Sequence, residues 1–557
     1  MSAQAIPAIT SSGQQVLILR EGSTQNRGKE AQRNNIAAAK LIAEVVRSSI
    51  GPRGMDKMLV DSLGDVTITN DGATMLKEID VQHPAAKMLV EVSKTTDNEV
   101  GDGTTSAVIL AGALLEKAEE LLDKGVHPTV IVDGYTKAYK KALESLSSIA
   151  EKIDPLDKLW LTKIARTSMQ TKLISKEAEQ LSSLIVEAVL AVAEKAEKGF
   201  KVDIDNVKVE KKPGGSLSDT KLIQGIVLDK EVVHSGMPKR AEKAKVALIS
   251  LPFEIEKTEF DAKLNINDPS MMKRFLDEET KMLKGMVDKV AAVGATVVVC
   301  QKGIDDIAQH YLAKAGILAV RRAKESDMTK LAKATGARVV NNFEDLSAKD
   351  LGYAALVEER KVEEDRWVFV EGCKNPKAVT ILIRGGTQRI VDEGERSVHD
   401  ALMVTRDVME KPAVVAGGGA PEAEAAYQVM KWSEKLTGRE QLAAQKFAEA
   451  LESIPIALAE NAGMDPIDAQ VDFRAKHAED GKWFGIEASD GKVKDMYQRQ
   501  VFEPLSVKEQ VIRSATEAAS MILRIDDVIA AGKMKTPPMP PGGGAGGMGG
   551  EGGGDFD

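Results

Sequence analysis

The chain has 557 residues, 43% of them hydrophobic but only 4% aromatic, and a formal net charge of −10. That length suits about three or four domains with aliphatic cores, and the acidic balance argues against nucleic acid as the main partner. Two cysteines without metal-ligand spacing, Cys300 and Cys373, exclude a disulfide framework or a zinc site, and no run is long enough for a membrane span or a signal peptide, so the sequence predicts a soluble cytoplasmic protein.

Residues 25–50 read as a helix, ended by the turn Gly51-Pro52-Arg53-Gly54. VTIT at 66–69 alternates as a strand, and Asn70-Asp71-Gly72 turns the chain into a new helix beginning ATMLKEI. Helices follow at 85–97, 104–124 and 128–150, and Asp154-Pro155 marks a boundary. Residues 156–200 hold two or three helices, and 201–235 change to strand-like text around Gly214-Gly215. Between 245 and 374, VALISL, ATVVVC, ILAVRR and ARVV are short apolar strands, the last three separated by helices, which predicts a βαβαβ run and a parallel sheet. No GxGxxG follows any of these strands, so a dinucleotide site is not supported.

The segment 252–290 is too long for an ordinary loop. It carries Phe253, Ile255, Phe260, Leu264, Ile266, Met271, Met272, Phe275 and Leu276 among many charges. A functional arm accounts for it, and so does a helix pair packed on the sheet. AVTILIR at 378–384 is a further strand, 388–410 is a helix carrying Asp392 and Asp400, and AGGGAP at 416–421 is a glycine turn before helical text that runs to 530. Similar character at both ends, around a different middle, predicts one domain built from both termini. From Pro537 the tail is Pro- and then Gly-rich, too poor in apolar residues to fold.

The chemistry centres on GDGTTS at 101–106, a glycine loop leading into a helix start. Free backbone N–H groups and the helix dipole favour an anion there. Asp102 would oppose that anion unless a cation such as Mg²⁺ stands between them. A capped core helix with Asp102 as its N-cap explains the same residues, and spacing alone favours neither reading. Alone, Asp71 reads as a turn residue and Asp400 as a solvated acid on a helix face. GxxxxGK[ST] is absent, which excludes a Walker A loop but not ATP.

Five motifs in order, GPRGMDKMLVD at 51–61, TNDGATML at 69–76, GDGTTSAVILAG at 101–112, HDAL at 399–402 and VVAGGG at 414–419, together resemble the chaperonins. The resemblance runs from about residue 15 to about 530. GPRGMDKM, NDGATML and the ending LRIDDVIAAG resemble the group II branch of archaea and the eukaryotic cytosol, and within it the archaeal thermosome subunits. This implies a multidomain α+β fold with a mainly helical equatorial ATPase domain (1–153 and 411–530) and a small α/β intermediate domain (154–226 and 375–410). It further implies an α/β apical polypeptide-binding domain (227–374) with a lid protrusion at about 252–290, and a disordered tail (531–557). The implied function is that of an ATP-dependent chaperone. It would bind unfolded polypeptides in a double-ring chamber of identical or paralogous subunits, closed by the built-in lid on ATP hydrolysis. ATP and Mg²⁺ are the implied cofactors, with K⁺ a further candidate.

By the same resemblance, Asp102 binds Mg²⁺, and Gly103, Thr104, Thr105 and Ser106 hold the phosphates. Ile50 and Gly51 approach the nucleotide from another loop. Asp71 and Asp400 match the catalytic carboxylates that orient or activate the attacking water. Gly418 meets ribose and adenine, Glu503 accepts hydrogen bonds from the ribose hydroxyls, and Glu487 stands on the adenine side. Ser168 and Met169 match a nucleotide-contacting stretch, and Lys172 senses the γ-phosphate. Asp392 does not match HDAL and is assigned to the surface. Two other classes compete: a filament-forming or membrane-associated ring assembly with incidental ATPase, and a metabolic α/β enzyme using the 290–340 sheet. Intact Asp71, Asp102 and Asp400 favour the folding machine over the first. The second has no cofactor fingerprint and no His-centred constellation.

Overall fold

The computed structural model describes residues 7–9, 15–17, 24–172, 174–197, 199–255, 269–373 and 377–530. The chain divides into two compact units, 1–34 with 525–557, and 35–524. In the first, Pro7–Ile9 pairs antiparallel with Gln15–Leu17, and Thr24–Arg27 with Asp527–Ala530. The helix expected over 25–50 therefore begins later, at Gly28, and ends at Arg47, because residues 24–27 are taken up in strand pairing. The expectations for the Gly-rich tail and for Phe260, Leu264 and Ile266 lie outside the described residues, as do the side chains of Met271 and Met272.

The second unit is α+β and holds two large cores. The main core draws its residues from 36–207 and 379–523. At its centre is the helix Thr104–Asp123, in which Ala107, Val108, Leu110, Ala111, Leu114, Leu115 and Ala118 are all fully buried. Small residues between leucines let other helices approach on several sides, and each buried leucine contributes roughly 1.5–3 kcal/mol. Tyr135 is buried beside them and donates its hydroxyl to the Leu114 carbonyl at 2.8 Å, so no polar group is stranded. A three-stranded sheet gathers distant segments, with Ala413–Ala416 between Glu151–Lys152 and Phe502–Pro504, both antiparallel to it. A second small sheet has Val379–Gly385 between Lys221–Ile223 and Val207–Pro213.

The other core, residues 226–378, lies around a seven-stranded sheet. The expected parallel part is there: Arg240–Ile249 runs parallel to Val297–Cys300 and Val339–Val340, and Val297–Cys300 to Leu318–Val320. The sheet as a whole is mixed, however. Gly352–Val362, Asp365–Glu371 and Gly225–Leu228 extend it in antiparallel order. The hairpin 352–371 escapes a search for apolar runs because its open face is charged; Arg360, for example, bridges Glu358 and Glu371, both at 2.9 Å.

Beyond the undescribed residues 256–268, the segment 252–290 continues as the helix Pro269–Ala292. Its C-terminal half packs on the sheet through Leu283, Val287 and Val290, whereas Phe275, Leu276 and Met282 stay 47%, 56% and 53% exposed. Phe253, the first of the segment's apolar residues, is fully buried, edge-on to Phe343 at 4.9 Å. Backbone hydrogen bonds to Gly303 and Asp305 hold it beside the sheet, which leaves its ring no way out. Among the described residues, no helix is long and apolar enough to cross a membrane.

Candidate functional site

A cavity of about 750 Å³ opens in the larger unit. Ile50, Gly51, Asp102, Gly103, Thr104, Thr105, Ser106, Ser168, Lys172, Gly418, Glu487 and Glu503 all line it. Asp71 and Asp400 are joined to its wall through Lys172. Met169 is fully buried in the main core and does not line the cavity. Asp392 is likewise apart from it, paired with Lys211 at 2.7 Å on the helix Gln388–Glu410.

One end of the cavity is built by a helix start. The N-cap of Thr104–Asp123 is Gly103, at φ 77°, and no side chain caps the first turn. Asp102 does not act as the cap: its Oδ1 accepts from the adjacent Gly103 N–H at 2.6 Å. The amides of the first turn are thus left for a ligand, next to the hydroxyls of Thr105 and Ser106. The helix Leu505–Leu523 packs so close that only glycine fits at 103, since a Cβ would stand 2.7 Å from Val511 Cγ2.

Beside that helix start, three carboxylates gather around one lysine. Lys172 Nζ is 3.0 Å from Asp400 Oδ2 and 3.8 Å from Asp71 Oδ1, with all three side chains about nine-tenths buried. Asp71 is also the N-cap of Gly72–Glu78, accepting from Thr74 N–H at 2.8 Å and from the Thr104 hydroxyl at 3.2 Å. Burial works to raise the pKa of Asp71, but Lys172 and these hydrogen bonds outweigh it and hold the carboxyl below its ordinary value. Burial also disfavours the Lys172 ammonium, yet Asp400, Asp71 and Asp102 more than offset this, and its pKa is raised. Asp102 goes the other way: burial, reinforced by Asp400, raises it despite Lys172 and the Gly103 N–H. Asp97, at the end of Pro84–Val100, is pushed up to about 6 by burial and by Asp400 and Asp71. The carboxylates outnumber the cation, so the cluster favours a further positive charge.

The opposite wall is a glycine turn against a hairpin. Gly418, at φ 66°, has no space for a side chain: a Cβ would meet the Ile486 carbonyl and Met496 Cε, each at 2.9 Å. Ile486 N–H donates to the Gly418 carbonyl at 2.8 Å, fixing the strand Phe484–Glu487 to the turn. The Glu487 carboxylate is already engaged, accepting from the Ser489 hydroxyl at 2.7 Å and standing 3.4 Å from Arg499. Glu503 lies 2.5 Å from Lys508, which is buried and also 2.9 Å from Glu422. Burial raises the pKa of Glu503, and Lys508 opposes that rise.

Sequence reasoning missed Asn70, Arg53, Arg499 and Lys508, which also line the cavity. Asn70 donates to the Thr171 carbonyl at 2.7 Å, and its buried Oδ1 has no hydrogen-bond partner. Its place inside TNDGATML was the available signal. Arg499 and Lys508 stand in charge-rich text where nothing local separates them from solvated residues.

The sequence pattern of the TCP-1/cpn60 chaperonin family matches residues 42–533, a span that contains every residue of this site. The chain belongs to the TCP-1/cpn60 chaperonin family. Among curated relatives, this chaperonin chain is 59% identical to the thermosome subunit alpha of Archaeoglobus fulgidus over 522 residues, which is 94% of this chain and 96% of that one. It is 59% identical to a thermosome subunit of Pyrococcus abyssi, covering 94% and 95% of the two chains. To the thermosome subunit beta of Sulfurisphaera tokodaii it is 56% identical, covering 96% and 97%.

The donor set of this chaperonin fits a magnesium nucleotide. Uncapped amides and hydroxyls suit phosphate oxygens, and the surplus of hard carboxylate oxygens suits a divalent cation. Among the described residues, no three His, Cys, Asp or Glu side chains are grouped to hold a metal by themselves. A carboxylate such as Asp102 fits an ion that also takes substrate oxygens and water, as Mg²⁺ commonly does.

Proposed function

We propose that this chain is an ATP-hydrolysing chaperone subunit. The observation that carries the reading is the Asp71–Lys172–Asp400 cluster set beside an uncapped helix start in a cavity large enough for a nucleotide. Thr104, Thr105 and Ser106 bind the phosphates of ATP through their amides and hydroxyls, and Ile50 and Gly51 close over them from the neighbouring loop. Asp102 would hold Mg²⁺, which when bound would neutralise charge on the phosphate oxygens. Asp400 takes the proton of the attacking water. Asp71, fixed by Thr74 and Thr104, orients that water, and ADP and phosphate are the products. Lys172 balances the two carboxylates and turns to the terminal phosphate when it is present. Gly418 leaves the backbone open to the base and ribose, and Ser168 and Glu503 contact the nucleoside end. Met169 acts only by packing behind Ser168.

The coupling of hydrolysis to folding belongs to the same proposal. The family membership, the thermosome relatives and the half-exposed Phe275, Leu276 and Met282 support a subunit whose apical region, 227–374, binds unfolded polypeptide and carries a lid at about 252–290. Equatorial segments 1–153 and 411–530 hold the nucleotide, and intermediate segments 154–226 and 375–410 connect the two. Identical or paralogous subunits would form stacked rings in the cytoplasm. The test is recovery of a chemically denatured protein by the purified chain with Mg²⁺ and ATP. Recovery that requires hydrolysable ATP is expected. Recovery of equal yield without nucleotide, or no ATP hydrolysis at all, would overturn the proposal.

A further inference from the structure

Behind the nucleotide cavity lies a buried histidine that no part of the mechanism uses. His477, in the last turn of the helix Pro466–Ala478, has a fully buried side chain. Its Nδ1 is 2.6 Å from Glu424 Oε2, and its Nε2 is 2.9 Å from the Phe484 carbonyl oxygen. A peptide carbonyl can only accept a hydrogen bond, and so can an ionised carboxylate. Burial works to raise Glu424, but His477 and the Gln428 amide, 2.8 Å away, outweigh it and hold the carboxyl below its ordinary value. Both ring nitrogens therefore face hydrogen-bond acceptors, and the ring bridges the two.

The two acceptors stand on the two segments that make one wall of the cavity. Glu424 belongs to Ala420–Ser433, the helix that starts directly after the Gly417-Gly418-Gly419 turn. Phe484 opens the strand whose Ile486 and Glu487 face the cavity. Turn and strand are in backbone contact with no slack: a Cβ on Gly485 would stand 2.7 Å from the Gly418 carbonyl oxygen. We infer that His477 is a positioning residue for the nucleotide, a buried ring that pins Phe484–Glu487 to Ala420–Ser433 through its two nitrogens and so sets the width of the wall against which the base and ribose rest. His477 does not touch the cavity and acts only through the backbone it holds. The inference rests on the reading of the cavity as a nucleotide site.

The test uses the full chain, measuring ATP dissociation by equilibrium dialysis, together with KM and kcat. His477→Gln has both its donors on one amide nitrogen and cannot span the two acceptors that face Nδ1 and Nε2 of the ring. It is expected to raise Kd and KM for ATP about tenfold, the scale of one charge-assisted hydrogen bond lost at a positioned wall, with kcat at saturation changing far less. Glu424→Gln removes the charge but keeps the shape and should shift KM in the same direction; if His477→Gln fails to fold, this variant carries the test. The double variant should be no worse than the weaker-binding single one, because both remove one pin. A purely structural histidine would lower kcat and the folded fraction together and leave KM in place, and that result would overturn the inference. Failure of the parent chain to bind ATP would overturn the nucleotide reading as well. Normal parent binding with unchanged KM in both single variants would overturn the inference alone.

Discussion

Asp71, Asp102 and Asp400 share a single lysine, and Asp97 registers the surplus of negative charge. Its pKa rises from the ordinary 3.8 to about 6, first through burial and then through Asp400 and Asp71. The sign of the consequence follows from proton counting. Between about pH 4 and pH 6 the folded chain keeps a proton on Asp97 that the unfolded chain releases, so stability falls as pH rises through that window. Asp97→Asn removes the titration. Its thermal midpoint should match the parent near pH 4 and exceed it at pH 7, measured in nucleotide-free protein by calorimetry. Equal midpoints at pH 7 would show that Lys172 already neutralises the whole cluster. The roles of Asp71 and Asp400 could not be read from their own surroundings in the sequence, since a turn acid and a helix-face acid look ordinary. Lys172 draws them together from three segments, at 71, 172 and 400, and only the family motifs linked such distant positions.

Among the elements, helix starts were the most legible features and hairpins the least. Asp71, His83, His127 and Asp157 each cap the helix that follows, accepting from its first-turn amides. Gly103 does not, so of the two readings that GDGTTS left open the structure has the uncapped start and not an Asp102 cap. Helices 104–123, 128–149 and 388–410 lie within a residue of their expected limits because their apolar positions repeat with the helical period. The hairpin 352–371 and the pair Phe484–Glu487 with Lys492–Asp495 escaped, because charged side chains outnumber apolar ones on their open faces. In the segment 252–290, Phe253 shows the limit of composition: it belongs to the same mixed apolar and charged text as the half-exposed Phe275, yet it is fully buried. The helix Pro269–Ala292 carries its own prediction. With Phe275, Leu276 and Met282 half-exposed in the isolated chain, a protease should cut near 275–282 without nucleotide. That cleavage should disappear with a mimic of the ATP transition state as lids converge. Equal protection in both states would mean a fixed packing element and no lid.

For the whole molecule, the layout of the larger unit follows from where apolar residues recur along the chain. Residues 36–207 and 379–523 supply one core and 226–378 the other, so the chain enters and leaves the second core once. The cavity is assembled from separate stretches of the first, around 50, 70, 103, 170, 404 and 418–508. A site drawn from such separate segments can respond to a bound ligand as a unit, as the proposed ATP cycle would require. The most direct test of this account separates binding from turnover in Asp400→Ala. With Mg²⁺ present, this variant should bind ATP about as tightly as the parent chain while hydrolysing it slower by a factor of roughly 10² or more, since only the water-activating carboxylate is lost. Near-normal steady-state hydrolysis by Asp400→Ala would contradict the assignment of the site.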